Sequence, residues 1–369
     1  MIKLVEILKG ALEKQASDIH FKAGRYPTYR IDGQLYQNTS FPIVTPQDTI
    51  DMMSIIATDK IQNRFKEKYE ADFSYGIPKI GRFRVNCYMQ RGSVALVMRS
   101  IPFEIPDIGS LNLPGIIKKI AVIHRGLILV TGTTGSGKST TLAAMIKYIN
   151  ESQPLNIITI EDPIEFLHRD NVSNISQREV GADTTSFVEA MKHSLRQDPD
   201  VILLGEMRDV ETVETALLAA ETGHLVMSTL HTLDAKETIN RVISIFPPYH
   251  QNNIRYQLAS VLKAVVSLRL MPQADGKGRV PAVEVLINTE TIKECIQDQD
   301  KAVKIIDHME AGKSIYGSQT FDQSILEQYQ KGLITMEEAL KWVTSPDNFK
   351  LKISGIVGTQ SEKWKADKQ

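Results

Sequence analysis

Cysteine is nearly absent from this sequence, and long apolar runs are absent as well. The 369 residues include two cysteines, Cys87 and Cys295, which are too few and too far apart for a zinc module or a disulfide framework. We expect both to be small buried side chains in a protein of a reducing compartment. No apolar stretch reaches the ~18 residues that a membrane-spanning helix needs. The chain is therefore expected to be cytoplasmic, or peripheral where it touches a membrane.

The sequence also has no excess of charge of one sign. Lys and Arg number 43 against 44 Asp and Glu, which gives a net charge of -1. This balance disfavours proteins that bind nucleic acid or an anionic membrane through a large basic face. No internal repeat or low-complexity segment interrupts the chain. A length of 369 residues makes two domains the default expectation.

A glycine-rich loop directly behind the apolar run 127–131 is the most informative feature that the sequence does have. The loop consists of Gly132, Thr133, Thr134, Gly135, Ser136, Gly137, Lys138, Ser139 and Thr140. Two glycines separated by four residues and followed by Lys and Ser form the P-loop pattern, because glycines let backbone N–H groups close around a triphosphate. We expect Lys138 to reach the β- and γ-phosphates and Ser139 to bind Mg²⁺. The flanking strand and helix patterns disfavour the alternative, a plain loop.

Strand and helix patterns alternate around and behind this loop. The predicted strands cover 127–131, 156–161, 201–205 and 225–230. The predicted helices cover 139–149, 187–196 and 211–222. Apolar strands that alternate with helices predict a parallel sheet covered on both faces, and hence an α/β fold. We also predict a helix whose apolar stripe consists of Ile254, Leu258, Val261, Leu262 and Val265.

The first hundred residues have a different pattern. Helices are predicted at 2–12 and from Thr45, which can cap a helix that starts with Pro46. Short alternating segments between and after them predict strands, so this part reads as a small α+β module. The stretch that follows contains two prolines and a glycine within 102–109 and is our candidate for a short, semi-rigid linker.

Two predicted strands end in acidic residues. Glu206 follows the strand 201–205, with Gly205 where many P-loop proteins have Asp. A P-loop hydrolase needs such an acid to hold Mg²⁺ and prepare a water molecule. Glu161 is the last residue of the strand 156–161, and Asp162 and Glu165 follow it; strands of a doubly wound sheet end at the ligand edge. A solvated acidic loop is the alternative interpretation of this second group.

Two histidines frame the predicted strand 225–230. His224 and His231 are seven positions apart, which places them at opposite ends of the strand and disfavours a shared metal. We interpret His231 as a sensor of the γ-phosphate or of the attacking water, and His224 as a relay to a neighbouring surface. For each histidine alone, a structural role is the alternative.

Taken together, these motifs resemble the secretion ATPase superfamily and, within it, the type IV pilus retraction ATPases of the PilT family. The resemblance covers about residues 1–290. It is carried by 16–20, 81–86, the P-loop, 161–166, 177–181, 205–209 and the two histidines. It implies a PAS-like N-terminal domain, a RecA-like ATPase domain that uses ATP and Mg²⁺, and a homohexamer. Such a ring is expected at the cytoplasmic base of the pilus machine, where it acts on an inner-membrane platform protein.

The resemblance also implies roles for individual residues. Lys138, Ser139 and Thr140 would bind nucleotide and Mg²⁺. Glu165 and Glu206 would serve water activation and Mg²⁺ binding, with the choice of principal base left open, and Glu161 and Asp162 would relay. The arginines expected to act in trans at a subunit joint are Arg82, Arg84 and Arg99. A solvated basic face is the alternative for these arginines.

Two segments depart from the retraction pattern. Where retraction ATPases carry Ala-Ile-Arg-Asn-Leu-Ile-Arg-Glu, this chain reads Thr-Ile-Lys-Glu-Cys-Ile-Gln-Asp at 291–298. Segments 319–323 and 345–351 are similar to the accessory retraction paralogue, PilU. An accessory ring that needs a partner motor is therefore an alternative function, and a nucleic-acid translocase is a weaker one because no basic, aromatic-rich face is evident. The four-cysteine module of assembly ATPases cannot be built from two cysteines.

The sequence patterns indicate where the domains begin and end, and the resemblance implies which folds they have. We place a PAS-like domain at 1–100, a linker at 101–112 and a RecA-like P-loop ATPase domain at 113–288. A C-terminal helical region at 289–360 and a polar tail at 361–369 would complete the chain.

Overall fold

The computed structural model describes residues 3–102 and 104–354 of the chain. Within these ranges the chain divides into two compact units. The first unit contains the residues up to Glu104 together with Asp162–His168 and Glu179–Thr185. The second unit contains Ile105–Glu161, Arg169–Arg178 and the residues from Ser186 onward. The predicted polar tail lies outside the described residues, and the predicted domain limits stay predictions.

The first unit is an antiparallel sheet covered by helices. Its helices are α1 Leu4–Glu13, α2 Pro46–Ile56 and α3 Asp59–Lys68. Its strands are β1 Asp18–Lys22, β2 Thr28–Ile31, β3 Gln34–Gln37, β4 Glu70–Ile77, β5 Gly81–Gln90 and β6 Ser93–Ile101. They lie in the order β3-β2-β1-β6-β5-β4, and β5 pairs with both β4 and β6 in antiparallel register.

Local sequence explains why these elements form. The first predicted helix corresponds to α1, whose residues Leu4, Ile7, Leu8 and Ala11 are buried. Tyr29 on β2 donates its hydroxyl to the backbone oxygen of Ile7 at 2.7 Å, which fixes this helix to the sheet. Thr45 caps α2 in a capping box with Asp48, as its position before Pro46 predicts. Helix α3 was not predicted, because Phe65 is its buried residue and no apolar stripe marks it.

The second unit is built on the predicted parallel sheet. The strands of this sheet are β7 Gly126–Thr131, β8 Asn156–Glu161, β9 Asn174–Glu179, β10 Val201–Leu204, β11 Leu225–Leu230, β12 Leu262–Pro272 and β13 Arg279–Ile287; the last residue of β9, Glu179, is counted with the first unit. The sheet order is β13-β12-β7-β11-β10-β8-β9. Pairs β12–β7, β7–β11, β11–β10 and β10–β8 are parallel, whereas β12–β13 is antiparallel. Every residue of β7 and β11 is buried, as expected for strands covered on both faces.

Helices follow the strands and continue through the C-terminal region. Those around the sheet are α4 Ile116–Ala121, α5 Lys138–Ser152, α6 Phe187–Ser194, α7 Val210–Glu221, α8 Ala235–Ser244 and α9 Pro248–Val261. The later ones are α10 Glu290–Gln297, a 3₁₀ helix Asp300–Lys304, α11 Ile305–Ala311, α12 Lys313–Tyr316, α13 Phe321–Gln330, α14 Met336–Trp342 and α15 Pro346–Ile353. Across the described ranges, none of these helices combines the length and apolar character needed to cross a membrane. Cys87 and Cys295 are buried.

One predicted helix ends earlier than its apolar pattern indicates. Leu262 and Val265 were expected on the stripe of α9, and that prediction is wrong because both lie on β12. The side-chain amide of Asn288 donates to the backbone oxygens of Ala259 at 2.9 Å and Leu262 at 2.8 Å, which ends the helix there. Since β12 is buried along most of its length, its sequence is apolar on both faces and lacks a strand period.

Candidate active site

The glycine-rich loop connects the end of β7 to the start of α5. Gly132, Gly135 and Gly137 have φ values of 141°, 77° and 98°, in the region that favours glycine. At Gly132 a Cβ atom would lie 2.5 Å from the backbone oxygen of Leu268 on β12. A larger residue would therefore clash with the neighbouring strand, so the P-loop glycines are required by the backbone itself.

The lysine of this loop is buried and folds back onto its own loop. Lys138 is 8% exposed, and its Nζ donates to the backbone oxygens of Gly132 at 2.8 Å and Thr133 at 3.0 Å. Burial lowers the pKa of Lys138, while the charge of Glu206 acts in the opposite direction. Phosphate oxygens are stronger acceptors for an ammonium group than neutral carbonyls. The lysine is thus held where a phosphate could take over its contacts.

A series of contacting side chains extends from Lys138 to residues that follow β11 and β10. His231, just beyond β11, has its Nδ1 3.4 Å from Nζ of Lys138 and its Nε2 3.5 Å from Oε1 of Glu206. The other carboxylate oxygen of Glu206, Oε2, is 2.7 Å from Nη2 of Arg208. The structure therefore brings the predicted lysine, histidine and glutamate together, and it adds Arg208, which had no predicted role. We call this group the charge chain.

The surroundings of Gly205, which directly precedes Glu206, leave little room for a side chain. A Cβ atom on Gly205 would lie 3.3 Å from the backbone oxygen of Ile160 and 3.4 Å from the ring of Phe187, so the usual Asp would be crowded there. Thr229 on β11 donates its hydroxyl to the backbone oxygen of Gly205 at 2.7 Å. This contact holds the end of β10, and with it Glu206, against β11.

The loop and its surroundings fit a polyphosphate with a divalent cation. Among the described residues, the Ser136 hydroxyl is buried and has no hydrogen-bond partner, which is unusual for a buried polar group. Ser139 is exposed in the first turn of α5, where backbone N–H groups and the helix dipole favour an anion. Hydroxyl and carboxylate oxygens are ligands of the kind that Mg²⁺ prefers, and Ser139 and Glu206 carry such groups. Within the described ranges, no group of three or more His, Cys, Asp or Glu residues is arranged to hold a metal ion by itself.

The predicted acidic group on β8 is divided between the two units. Glu161 belongs to the second unit, and its Oε1 accepts from the Thr159 hydroxyl at 2.6 Å and from the Gln177 amide at 3.1 Å. Asp162 and Glu165 belong to the first unit. Their predicted roles stay predictions.

The three predicted arginines lie on β5 and β6 of the first unit. Nη2 of Arg82 is 2.8 Å from Oε2 of Glu179, and Nε of Arg99 is 2.8 Å from Oδ1 of Asp18. Arg84 is exposed and lies opposite Arg99 in the strand register. Two of the three are thus engaged in ion pairs within their own unit.

His224 lies at the far end of β11 from His231, as the spacing predicts. Its Nδ1 is 2.9 Å from the backbone oxygen of Ala219 and 3.2 Å from the hydroxyl of Thr222. Ala219 is in the last turn of α7, so His224 satisfies a carbonyl at the end of that helix. Its predicted relay role stays a prediction.

A cavity of about 210 Å³ lies beside the loop. Its lining consists of Gly132–Ser136, Leu233, Leu268–Leu270, Arg279 and Trp342. The Arg269 guanidinium stacks 3.8 Å from the ring centroid of Phe321 and donates to the backbone oxygen of Trp342 at 3.3 Å. The segment 319–323, one of the two with accessory-type sequence, therefore packs on the flank of this cavity.

Comparisons with known proteins agree on one family. The family model described as "Type II/IV secretion system protein" matches residues 1–341. The type IV pilus retraction ATPase PilT of Pseudomonas aeruginosa is 41% identical over 94% of this chain and 99% of its own. The type IV pilus ATPase PilU of the same organism is 39% identical over 97% of this chain and 92% of its own. A twitching motility protein of Neisseria gonorrhoeae is 43% identical over 85% and 83%, respectively.

Solved structures give the same result. The crystal structure of the pilus retraction motor PilT with bound ADP superimposes with a TM-score of 0.87 at 46% identity, covering 94% of this chain and 99% of that one. The ATPase DotB of Legionella pneumophila superimposes with a TM-score of 0.77 at 26% identity, covering 96% of each chain.

Proposed function

Because the chain belongs to the type II/IV secretion system protein family, as its sequence motifs indicate, we propose that it is an ATPase motor that powers type IV pilus retraction. The charge chain of Lys138, His231, Glu206 and Arg208 is the observation that carries this proposal. It lies beside a P-loop in a chain that is 41% identical to a pilus retraction ATPase over 94% of its length.

The charge chain divides the work of hydrolysis among its members. Backbone N–H groups of the loop and Nζ of Lys138 would hold the β- and γ-phosphates, with the lysine exchanging its carbonyl acceptors at Gly132 and Thr133 for phosphate oxygens. His231, which lies between the lysine and Glu206, would contact the γ-phosphate or a water molecule next to it. The Glu206 carboxylate would orient that water for in-line attack.

The nucleotide site is proposed to contain Mg²⁺ as well. Ser139 and Glu206 are the groups that would hold the ion, with Thr140 binding nucleotide next to them. When bound, Mg²⁺ neutralises charge on the phosphates. Among the relatives, the PilT crystal structure is described with bound ADP, which supports nucleotide use at this site.

We further propose that the chain forms a homohexamer at the cytoplasmic face of the inner membrane and acts on a pilus platform protein. Glu165 would add to water activation, with relay through Glu161 and Asp162. For the arginines Arg82, Arg84 and Arg99 to act in trans, the ion pairs of Arg82 and Arg99 would have to be exchanged. The net charge of -1 supports the expectation that nucleic acid is not a partner.

ATP turnover tests the enzyme proposal directly. We expect the variants Lys138→Ala and Glu206→Gln to lower kcat by at least about a hundredfold, because each removes a group acting on the transferred phosphoryl. Glu211→Gln is the matched control, since Glu211 is an exposed carboxylate on α7 that pairs with Lys192. Equal turnover in all four proteins, or none in the unsubstituted chain, would refute hydrolysis at this site.

An accessory ring that needs a partner motor is the second candidate. Helix α10 carries the departure from the retraction signature, and PilU is 39% identical over 97% of the chain. Expression in cells that lack their own retraction motors separates the two functions. Retraction by this chain alone supports the motor, whereas retraction only alongside a paralogous ATPase supports the accessory role. Turnover stimulated by DNA would instead support a translocase.

A further inference from the structure

A cluster of buried hydroxyl groups lies behind the charge chain. Oγ1 of Thr131 is 2.9 Å from Oγ of Ser267 and 3.4 Å from Oγ1 of Thr238. Oγ1 of Thr238 is in turn 2.6 Å from Oγ1 of Thr232 and donates to the backbone oxygen of Asp234 at 2.7 Å. We call Thr131, Thr232, Thr238 and Ser267 the hydroxyl cluster. Thr131, Thr238 and Ser267 are fully buried and Thr232 is 3% exposed.

Hydrogen bonds join the members of the hydroxyl cluster. Thr131 donates its hydroxyl to Ser267, and Thr238 is the shared centre, with its one proton directed at the backbone oxygen of Asp234 at 2.7 Å and the more distant Thr131 hydroxyl at 3.4 Å. Its surroundings on β7 and β12 are largely apolar, where aliphatic side chains would pack at least as well. A polar network in such a place favours one geometry, because its hydrogen bonds are directional and apolar contacts are not.

The members of the hydroxyl cluster are next to the reacting groups. Thr131 directly precedes Gly132, the first residue of the P-loop, and Thr232 directly follows His231. Through its side chain, Thr238 on α8 therefore links Thr131, at the start of the P-loop, to Thr232, which follows His231.

Hydrogen bonds from backbone N–H groups also hold the turn that follows His231. The backbone N–H of Leu233 donates to Glu237 at 2.8 Å, and that of Ala235 donates to the buried carboxyl of Glu284 at 2.8 Å. Asp234 caps α8 by accepting from the Glu237 N–H. The start of α8 is thereby fixed to the sheet, and Thr238 transmits that fixed position to Thr131.

We propose that Thr238, through the hydroxyl cluster, is a positioning residue that sets the separation between His231 and Lys138. The proposal rests on hydrolysis at the P-loop as proposed above. The 3.4 Å gap between His231 Nδ1 and Lys138 Nζ is short enough that a shift of about 1 Å would change which of them meets the γ-phosphate, and shifts of that size cost up to about a hundredfold in rate. Positioning of this kind acts on the transition state and leaves ground-state nucleotide binding nearly unchanged.

Three variants test this role. Thr238→Val keeps the shape of the side chain and removes its hydroxyl, whereas Thr238→Ser keeps the hydroxyl. Thr215→Val is the matched control, because Thr215 is a buried helical threonine on α7 whose hydroxyl donates to the backbone oxygen four residues earlier at 2.8 Å, as Thr238 does at 2.7 Å. For each variant, kcat and KM for ATP are measured, together with the Kd of ADP and of ADP–fluoroaluminate, a mimic of the transferred phosphoryl.

We expect Thr238→Val to lower kcat about tenfold, to weaken ADP–fluoroaluminate binding by a similar factor and to change the Kd of ADP by less than about threefold. Thr238→Ser should restore kcat, and Thr215→Val should leave all four quantities unchanged. A Thr238→Val variant with the kcat of the unsubstituted chain would overturn the proposal. So would a loss that Thr238→Ser does not restore or that Thr215→Val shares.

The mimic separates this proposal from the proposed function. An unsubstituted chain that binds ADP–fluoroaluminate no more tightly than ADP would refute hydrolysis at the P-loop itself. If the unsubstituted chain prefers the mimic and Thr238→Val keeps that preference, hydrolysis stands and the positioning role falls.

Discussion

The two compact units hold their charged side chains in opposite ways. In the second unit the charge chain can accept new partners. Lys138 donates to neutral carbonyls, and Arg208, at the other end of the charge chain, is 67% exposed. In the first unit the carboxylate of Glu179 is closed, since it accepts from Arg82, from the Ser74 hydroxyl and from the Ile164 N–H. Groups that must exchange partners during a reaction cannot be saturated beforehand, whereas groups that stabilise a fold are best saturated.

The contrast between reacting side chains in the second unit and structural ones in the first would fail if an acidic residue of the first unit took part in catalysis. We expect Glu165→Gln to lower kcat for ATP by about a hundredfold, because a carboxylate that helps to prepare the attacking water cannot be replaced by an amide. Glu70→Gln, an exposed carboxylate on β4, is the control in the same unit. Turnover of Glu165→Gln within twofold of the control would leave Glu206 as the acid that acts on water.

Removal of one partner of the closed ion pair should mainly affect stability. Arg82→Ala leaves the buried Glu179 carboxylate without its cation, and we expect the free energy of unfolding to fall by roughly 3 kcal/mol. Urea denaturation measures the change, with Arg82→Lys as the variant that keeps the charge. A midpoint equal to that of the unsubstituted chain would contradict a structural pair. A loss of turnover in a variant that stays folded would instead support the trans-acting role of Arg82.

The buried carboxyl of Glu284 gives the second unit a pH-dependent stability. Burial raises the pKa of Glu284 from 4.5 to about 7, although the N–H groups of Ala235 and Phe321 and the charge of Arg269 favour its ionised form. The folded chain therefore retains a proton that the unfolded chain releases in this range. The stabilisation that the raised pKa of Glu284 gives to the folded chain is complete below pH 4.5 and is lost as the pH rises through 7. The free energy of unfolding should therefore fall by roughly 2 kcal/mol between pH 5 and 7.

The variant Glu284→Gln should remove this pH dependence, since an amide does not titrate. The measurement is the free energy of unfolding at pH 5 and pH 7 for the variant and the unsubstituted chain. Glu290→Gln is the control, because Glu290 is an exposed carboxylate on α10. The same decrease with pH in Glu284→Gln as in the unsubstituted chain would contradict the assignment.

The smallest effect on the free energy of unfolding is expected for Arg99 of the first unit. Arg99 pairs with Asp18 but is itself 67% exposed, and Arg30 is a second cation 3.9 Å from the same carboxyl group. Arg99→Ala should therefore change the free energy of unfolding by less than about 1 kcal/mol. A larger loss in urea denaturation would show that this pair resembles the closed pair of Arg82.

The predictable part of the molecule is the part with local sequence signals. The P-loop pattern located Lys138, the need of a P-loop hydrolase for a second acid pointed to Glu206, and His231 was interpreted together with these two. The parallel sheet followed from apolar strands alternating with helices, and this prediction is confirmed by the strand pairing.

The remaining features depend on side chains that are distant along the chain. Thr131 meets Ser267 from 136 residues away, and Arg82 meets Glu179 from 97 residues away. A single hydroxyl or carboxyl in a buried strand produces no periodicity, so the hydroxyl cluster and Glu284 could not be located from sequence. The same lack of contrast between two buried faces led us to extend α9 into β12.

The position of Trp342 has an optical consequence. This residue lines the cavity beside the P-loop, and its indole N–H donates to Glu338 at 2.7 Å. The chain contains two tryptophans, and the second, Trp364, lies outside the described residues. In a Trp364→Phe chain, Trp342 would thus be the single tryptophan, at the flank of the nucleotide loop, so that tryptophan emission can report occupancy of the loop without an added label.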